Sequence, residues 1–280
     1  MIKLHAATAS LSALLIGMLV STGAAAQATW NLPTTASGGN CSAPSSGTYG
    51  NTTTCAATTG AGSMTLSAWS MDRGSGATLL AGSGYANAFL SDQGGLGWGD
   101  KNRTEGLTAT SPDHSVDNIT PGLADLLLLN FTSGPTALSG FRFGWSAGDS
   151  DAVVMRWAGA GSPIKADGVN LDSTIGNTGW VLVGAYADVG TGNLRSTGTT
   201  AGSSWWLISA FNTTMTGGST ACTSAAGAAT TCADGNDGFK LQYVTTAAPS
   251  RITTGVPEPT SVALAGLALF GIFAARRRNA

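Results

Sequence analysis

Hydrophobic and polar residues alternate with a period of two along several segments of the chain. The alternation is clearest at 64–68 and 141–145, where apolar side chains take every second position. Turns rich in glycine, asparagine and aspartate separate these segments from related apolar runs at 125–131, 153–157, 180–186, 205–211 and 239–244. Such alternation is typical of strands that bury one face. The pattern predicts an all-β domain at 63–246, an antiparallel β-sandwich of the jelly-roll type.

The N-terminal segment has the three parts of a secretory signal peptide. Lys3 supplies the charge, residues 11–20 form an apolar core, and Ala26-Gln27-Ala28 offers small residues for cleavage. An uncleaved N-terminal anchor is the alternative, although ten apolar residues are too few to span a bilayer. We predict a signal peptide at 1–28 that signal peptidase removes, so that the mature chain starts at Thr29.

The C-terminal segment joins a rigid tripeptide, an apolar stretch and a cationic end. Pro257-Glu258-Pro259 follows Val256 and stays extended, because the two prolines fix φ and remove backbone donors. Residues 261–275 carry no charge and predict one transmembrane helix of roughly 22 Å. The positive-inside tendency places the end of the chain, Arg276, Arg277 and Arg278, in the cytoplasm. Residues 247–255 are predicted to be a linker.

This order of parts at 256–280 resembles the PEP-CTERM sorting signal. The resemblance implies an exosortase as partner, a membrane enzyme that acts near the tripeptide in Gram-negative bacteria that make exopolysaccharide. It predicts an exported protein that its C-terminal helix holds transiently in the inner membrane. The protein then passes to the cell surface or the extracellular matrix. A plain anchor that is never cut is the alternative.

A second resemblance covers most of residues 64–246. Residues 111–118, followed by 125–131, resemble the signature of a family of exosortase-dependent surface proteins. Further blocks similar to that family lie at 148–151, 180–184 and 204–208. The resemblance implies a class of surface protein, and it brings no catalytic activity with it.

Four cysteines lie in two local pairs, Cys41 with Cys55 and Cys222 with Cys232. An even number in an oxidising compartment predicts disulfides. Of the three connectivities the local one closes short loops, each worth about 3 kcal/mol on the chain-entropy model. It makes the Thr/Ser/Gly-rich residues 29–62 a disulfide-clamped region. Zinc is the competing interpretation, although no Cys-x-x-Cys spacing supports it.

The net charge argues against partners that need a basic surface. The chain carries 13 basic and 15 acidic residues, a net charge of −2. Without Lys3, the three terminal arginines and Glu258, the exported part has 9 basic and 14 acidic residues and a net charge of −5. Nucleic acids and anionic lipids need a basic surface, so we expect neither as a partner.

Acidic loops suggest a calcium ion. Calcium prefers six to eight oxygens from carboxylates, amides and carbonyls, and neither acidic cluster has the spacing of an EF-hand. The candidate ligands are Asp113, Asp117, Asn118, Asp149 and Asp151. The alternative is that these side chains form Asx-turns with their own backbone. No other cofactor is expected.

Tryptophans suggest a second kind of site, in which a flat face stacks on a sugar ring. The candidates are Trp98, Trp205 and Trp206. Trp205 and Trp206 are adjacent, so in a strand they face opposite ways and at most one is buried. Packing in the core is the alternative for each of them.

No pattern marks a catalytic residue. His114 lies outside any nucleophile-elbow motif, and Glu105 is the one glutamate of the exported domain, without a marked carboxylate partner. We therefore expect a non-catalytic exported protein. A carbohydrate-binding module that contacts exopolysaccharide is the second hypothesis, and a secreted hydrolase is the third.

Overall fold

The computed structural model describes residues 27–72, 85–108, 114–119 and 123–247. In these residues the chain forms sixteen strands and two short 3-10 helices, Thr35–Ser37 and Gly94–Leu96. The strands are β1 (Ala28–Asn31), β2 (Thr52–Ala56), β3 (Ser63–Asp72), β4 (Tyr85–Asn87), β5 (Phe89–Asp92), β6 (Trp98–Lys101), β7 (Val116–Asp117), β8 (Leu123–Phe131), β9 (Ala137–Gly148), β10 (Ala152–Trp157), β11 (Trp180–Tyr186), β12 (Arg195–Ser196), β13 (Trp205–Ala210), β14 (Ala221–Thr223), β15 (Ala229–Thr231) and β16 (Asp237–Ala247). The prediction of an all-β domain is confirmed.

Several predictions fall outside the described residues. They concern the signal peptide as far as residue 26, most of the linker at 247–255, the membrane segment at 261–275 and Asp113. Across the four described ranges, no helix has the length and apolar character needed to cross a bilayer. The signal peptide and the transmembrane helix therefore stay predictions.

The strands form two sheets. The first sheet has the order β12-β9-β16-β6-β5, and β1 and β7 also pair with β16. The second has the order β15-β14-β11-β10-β13-β8-β3-β2, and β4 pairs with β3. Neighbouring strands are antiparallel except β11 and β14, which are parallel where Tyr186 lies opposite Thr223. The two sheets are consistent with the predicted β-sandwich, and the jelly-roll type stays a prediction.

The main core lies between the sheets and consists of the apolar side chains that take alternate positions along their strands. Phe143 of β9 stacks on Phe239 of β16 with ring centroids 3.8 Å apart. Leu127 of β8 and Trp206 of β13 belong to the same cluster from the second sheet. The inner faces of both sheets therefore exclude water, as in a sandwich core.

The second sheet is also buried on its outer face. Leu126 and Leu128 of β8 belong to a second apolar cluster, separate from that of Leu127 and Leu129. Segments outside the central strands cover this outer cluster through Leu171, Phe211, Met215, Cys222 and Cys232. A strand buried on both faces needs apolar side chains at consecutive positions, which explains the unbroken leucine run of β8.

Residues 28–62 are integrated into both sheets. β1 pairs with β16, and β2 pairs with β3, so this segment adds one strand to each sheet. The predicted disulfide Cys41–Cys55 is confirmed, and both cysteines are fully buried. The predicted Cys222–Cys232 disulfide is also confirmed and clamps the hairpin of β14 and β15. β1 begins at Ala28, one residue before the predicted mature start.

Candidate functional site

Two groups of carboxylates meet at two adjacent residues, Asp117 and Asn118, each of which contacts one group. Glu105, Asp117 and Asp125 place one oxygen each within 4.8 Å of one another, and so do Asp149, Asp151 and Asp237. Asp117 ends β7 and belongs to the first group. The next residue, Asn118, donates from Nδ2 to Oδ2 of Asp237 at 2.6 Å, in the second group. We call the first group with Asp100 the acidic core cluster, and the second group with Asn118 the turn cluster.

A tight turn between β9 and β10 builds the turn cluster. Gly148 has φ +69°, and a Cβ there would lie 1.6 Å from the carbonyl oxygen of Asn236. Only glycine fits, because an L side chain rarely adopts that φ and would also collide. Ser150 has φ +55° as well. The turn brings Asp149 and Asp151 next to Asp237 at the start of β16.

Backbone donors occupy the oxygens of the turn cluster. Asp151 accepts hydrogen bonds from the backbone of Asp188 at Oδ1 (2.8 Å) and of Ala233 at Oδ2 (3.0 Å). Asp237 accepts at Oδ1 from the backbone N–H of Asp151 at 2.6 Å and at Oδ2 from Asn118. Asn118 completes the pair, since its Oδ1 accepts from the backbone N–H of Asp237 at 2.8 Å. These carboxylates serve as acceptors that tie loops to strands.

A proton reduces the charge of the turn cluster further. Burial raises the pKa of Asp237 to about 10, helped by its hydrogen bond with Asp149 and by the charge of that neighbour. Burial also raises the pKa of Asp151 to about 6, against the lowering effect of its backbone donors. Asp237 is therefore protonated at neutral pH. Asp149 Oδ1 meets no donor in the described part of the chain, and the protonated Asp237 side chain hydrogen-bonds with the Asp149 carboxyl group.

Strands of both sheets build the acidic core cluster. β6 supplies Asp100 and β7 supplies Asp117 from the first sheet, whereas β8 supplies Asp125 from the second. A Cβ on Gly99 would lie 2.2 Å from the carbonyl oxygen of His114. The glycine therefore lets β6 approach the chain that leads into β7, which brings Asp100 towards Asp117.

A turn held by Asn102 positions Glu105. Asn102 Oδ1 accepts from the backbone N–H groups of Thr104 (2.9 Å) and Glu105 (3.0 Å). In return, Glu105 Oε2 accepts from the backbone N–H of Asn102 at 3.0 Å. Asn102 Nδ2 reaches the two oxygens of Asp125 at 3.3 and 3.4 Å, longer than a good N–H···O bond. The turn thus fixes a half-buried glutamate beside a buried aspartate.

Asp100 is the unusual member of the acidic core cluster. It is 0% exposed, and neither of its carboxyl oxygens meets a donor among the described residues. Burial raises its pKa well above the usual range, and the charges of Asp125, Glu105 and Asp117 raise it further. Burial and the charges of Asp117 and Glu105 raise the pKa of Asp125 as well. Asp117 accepts hydrogen bonds from the Ser115 hydroxyl (3.2 Å) and the Ile119 backbone N–H (3.1 Å). Asp100 and Asp125 are two buried carboxyl groups side by side, an arrangement that costs free energy unless something compensates them.

The structure divides the predicted calcium ligands between the two clusters. Asp117 lies in the acidic core cluster, and Asn118, Asp149 and Asp151 lie in the turn cluster. Sequence reasoning did not propose four further acidic residues as ligands: Asp100, Glu105, Asp125 and Asp237. A signal was present for Asp125, because it is the one charged residue in the apolar run that became β8. The other three gave no local signal.

Of the three tryptophans predicted to stack on a sugar, two are fully buried and one, Trp205, is partly exposed. Trp98 and Trp206 are 0% exposed, and their ring N–H groups donate to the carbonyl oxygens of Leu32 (2.6 Å) and Ser203 (2.9 Å). Neither ring has a face available to a sugar, because both are packed in the main core. Trp205 is partly exposed and lines a groove of about 510 Å³ with Arg156.

Comparison with known proteins addresses the C-terminal segment. The family model of the PEP-CTERM protein-sorting motif matches residues 255–278, which confirms the predicted motif. The chain thus carries a PEP-CTERM sorting motif, and the motif implies sorting to the cell surface by an exosortase-type membrane enzyme. No curated protein and no solved structure matches the chain.

Proposed function

We propose that this protein is a non-catalytic cell-surface component that an exosortase-type enzyme releases from the inner membrane of an exopolysaccharide-producing Gram-negative bacterium. The sorting motif carries the proposal. It begins at residue 255, eight residues after β16 ends at Ala247, so the folded domain stands directly before the processing site. Signal peptidase acts at the other end of the chain, between Ala28 and Thr29 at the start of β1. The domain is the cargo of both enzymes.

Two features of the domain support a structural role. Both disulfides suit an oxidising compartment outside the cytoplasm, and each closes a short loop. The acidic core cluster is closed to a polymer, because Asp100, Asp117 and Asp125 are at most 2% exposed. A hydrolase needs its two carboxylates on either side of a bound sugar chain. Burial of these groups therefore favours a non-catalytic protein.

The test follows the tail by mass spectrometry of the protein from the cell surface. We expect the wild-type protein to lack Arg276, Arg277 and Arg278, because processing occurs near Pro257. The double variant Pro257→Ala/Pro259→Ala should keep the arginines and stay in the membrane fraction. Arg251→Ala, which lies outside the motif, is the matched control and should be processed normally. Retention of the arginines in the wild-type surface protein would contradict the proposal.

One observation favours carbohydrate binding as a second function. The groove is lined by Trp205, which is partly exposed, and by the polar residues Arg156 and Ser204. An aromatic face with polar groups at its edge suits a sugar ring. Trp205→Ala should weaken binding to purified exopolysaccharide at least tenfold. Trp145→Ala, a partly exposed tryptophan of the other sheet, is the control, and equal binding by both variants would reject this function.

A further inference from the structure

We propose that the acidic core cluster binds one calcium ion, which joins the two sheets. The oxygens of Glu105, Asp117 and Asp125 lie within 4.8 Å of one another. Ca–O distances of 2.3–2.6 Å place ligands on opposite sides of an ion at most about 5 Å apart. The three oxygens therefore already have the spacing of a calcium coordination sphere. This inference goes beyond the sorting function and does not depend on it.

Asp100 supplies the second, independent observation. It is a fourth carboxylate, fully buried, and neither oxygen meets a backbone, hydroxyl or amide donor among the residues described. The groups that act on it are the other three acids of the cluster, and its one hydrogen-bond partner in that part of the chain is itself an acid, Asp125. Buried carboxylates are normally hydrogen-bonded or coordinated. A cation held by Glu105, Asp117 and Asp125 would compensate the buried charge of the neighbouring Asp100.

The basic side chains on either side of Asn102 are engaged elsewhere. Lys101 Nζ donates to the carbonyl oxygen of Leu107 at 2.9 Å. Arg103 donates to Asn87 Oδ1 and lies over the ring of Tyr49. A single proton between Asp100 and Asp125 would neutralise one of these two buried acids and leave the charge of the other. A divalent ion compensates the cluster far better.

The ligand set selects calcium among the common cations. All four side chains offer carboxylate oxygens, which suit hard cations such as calcium and magnesium. Magnesium gives up its water reluctantly and demands a near-ideal octahedron, whereas calcium accepts six to eight oxygens in flexible geometry. Four largely buried carboxylates, some of them bidentate, can supply most of a calcium shell without bulk water.

The position of the site indicates what the ion does. Asp100 and Asp117 belong to the first sheet and Asp125 to the second, so the ion would connect the two layers of the sandwich. Calcium sites of extracellular modules have dissociation constants of about 0.1–1 mM. A site of that strength fills outside the cell. Export would thus add the final cross-link to the domain.

The experiment uses the full chain, purified with both disulfides formed and stripped of metal with a chelator. Thermal unfolding is followed with and without 10 mM CaCl₂, at roughly 10–100 times the expected dissociation constant. Calcium should raise the melting temperature by about 3–10 °C, and 10 mM MgCl₂ by less than half as much. Tb³⁺ then reports the site directly. Trp98 lies two residues from Asp100, roughly 7 Å along the strand, and should sensitise terbium emission.

Variants assign the signal to the cluster. Asp100→Asn should abolish the calcium-dependent rise and the terbium emission, whereas Asp149→Asn, the same change in the turn cluster, should keep both. Glu105→Gln alters a half-buried ligand and should weaken calcium binding at least tenfold, which keeps the test valid should Asp100→Asn fail to fold. No calcium effect on the wild type, or loss of the effect in Asp149→Asn with retention in Asp100→Asn, would overturn the proposal.

Discussion

The acidic core cluster and the turn cluster differ in what their oxygens contact. Each contains three carboxylates within 4.8 Å of one another, and each joins residues from distant parts of the chain. In the turn cluster, Asp151 and Asp237 accept hydrogen bonds at all four carboxyl oxygens. In the acidic core cluster, the oxygens of Asp100 meet no donor among the described residues. The two clusters thus differ in degree: Asp149 Oδ1 is without a donor in the turn cluster, and both oxygens of the fully buried Asp100 are without a backbone, hydroxyl or amide donor in the acidic core cluster, among the described residues.

The physical reason lies in how a buried charge is compensated. Backbone N–H groups are fixed dipoles, and two of them stabilise a carboxylate such as Asp151 without any ion. Asp100 faces only other acids, so each neighbour makes its ionisation harder. The first arrangement is complete within the protein. The second needs a proton or a cation from solution.

The largest expected effect comes from removing the central acceptor of the turn cluster. Asp237→Ala leaves the backbone N–H of Asp151 and the amide of Asn118 without their partner. We expect a loss of about 3–5 kcal/mol in the free energy of unfolding, measured in urea, because each buried unsatisfied group costs about 1–3 kcal/mol. Asp234→Ala, an exposed acidic residue of the same loop, should cost under about 0.5 kcal/mol. A loss below about 1 kcal/mol for Asp237→Ala would show that the turn cluster is not structural.

The pH dependence of the free energy of unfolding reports the protons bound by the turn cluster. The folded-state pKa values of Asp151 (about 6) and Asp237 (about 10) lie above the ordinary 3.8, so the folded protein binds protons more tightly than the unfolded chain. The stabilisation of the folded state by these bound protons is complete below pH 3.8. It is lost as pH rises, through pH 6 for Asp151 and towards pH 10 for Asp237. Between pH 6 and 8, with chelator, the extra proton on Asp237 in the folded state should lower the free energy of unfolding by about 1.4 kcal/mol per pH unit. Asp237→Asn should flatten this slope, and an unchanged slope would contradict the assignment.

Asp100→Asn should have a smaller and opposite effect in the absence of metal. The amide carries no charge and can donate to Asp125, so the chelated variant should be more stable than the chelated wild type by about 1–2 kcal/mol. Added calcium should then reverse the order of the two proteins in thermal unfolding. A variant that is less stable than wild type under both conditions would indicate that Asp100 acts only through packing.

Local features of the chain were predictable, and distant contacts were not. Alternation predicted the strands, the short Cys41–Cys55 separation predicted a disulfide, and the C-terminal order of parts predicted the sorting motif. Asn118 and Asp237 are 119 residues apart, and no local spacing indicates that they meet. The same limit applied to Asp100 and Asp125, which come from different sheets.

The tryptophans show a second limit of sequence reasoning. The adjacent Trp205 and Trp206 correctly indicated opposite faces, and Trp206 is the buried one. Alternation did not show that other segments cover the outer face of the second sheet, or that Trp98 packs in the main core. Burial depends on which segments fold over a sheet, and a single strand does not report that.

A crystal structure of the chelated protein soaked in CaCl₂, with anomalous scattering, tests the central claim most directly. The account predicts one calcium peak among Asp100, Glu105, Asp117 and Asp125, with Ca–O distances near 2.4 Å, and no peak at Asp149, Asp151 and Asp237. A peak in the turn cluster alone, or an acidic core cluster without density at 10 mM calcium, would contradict it.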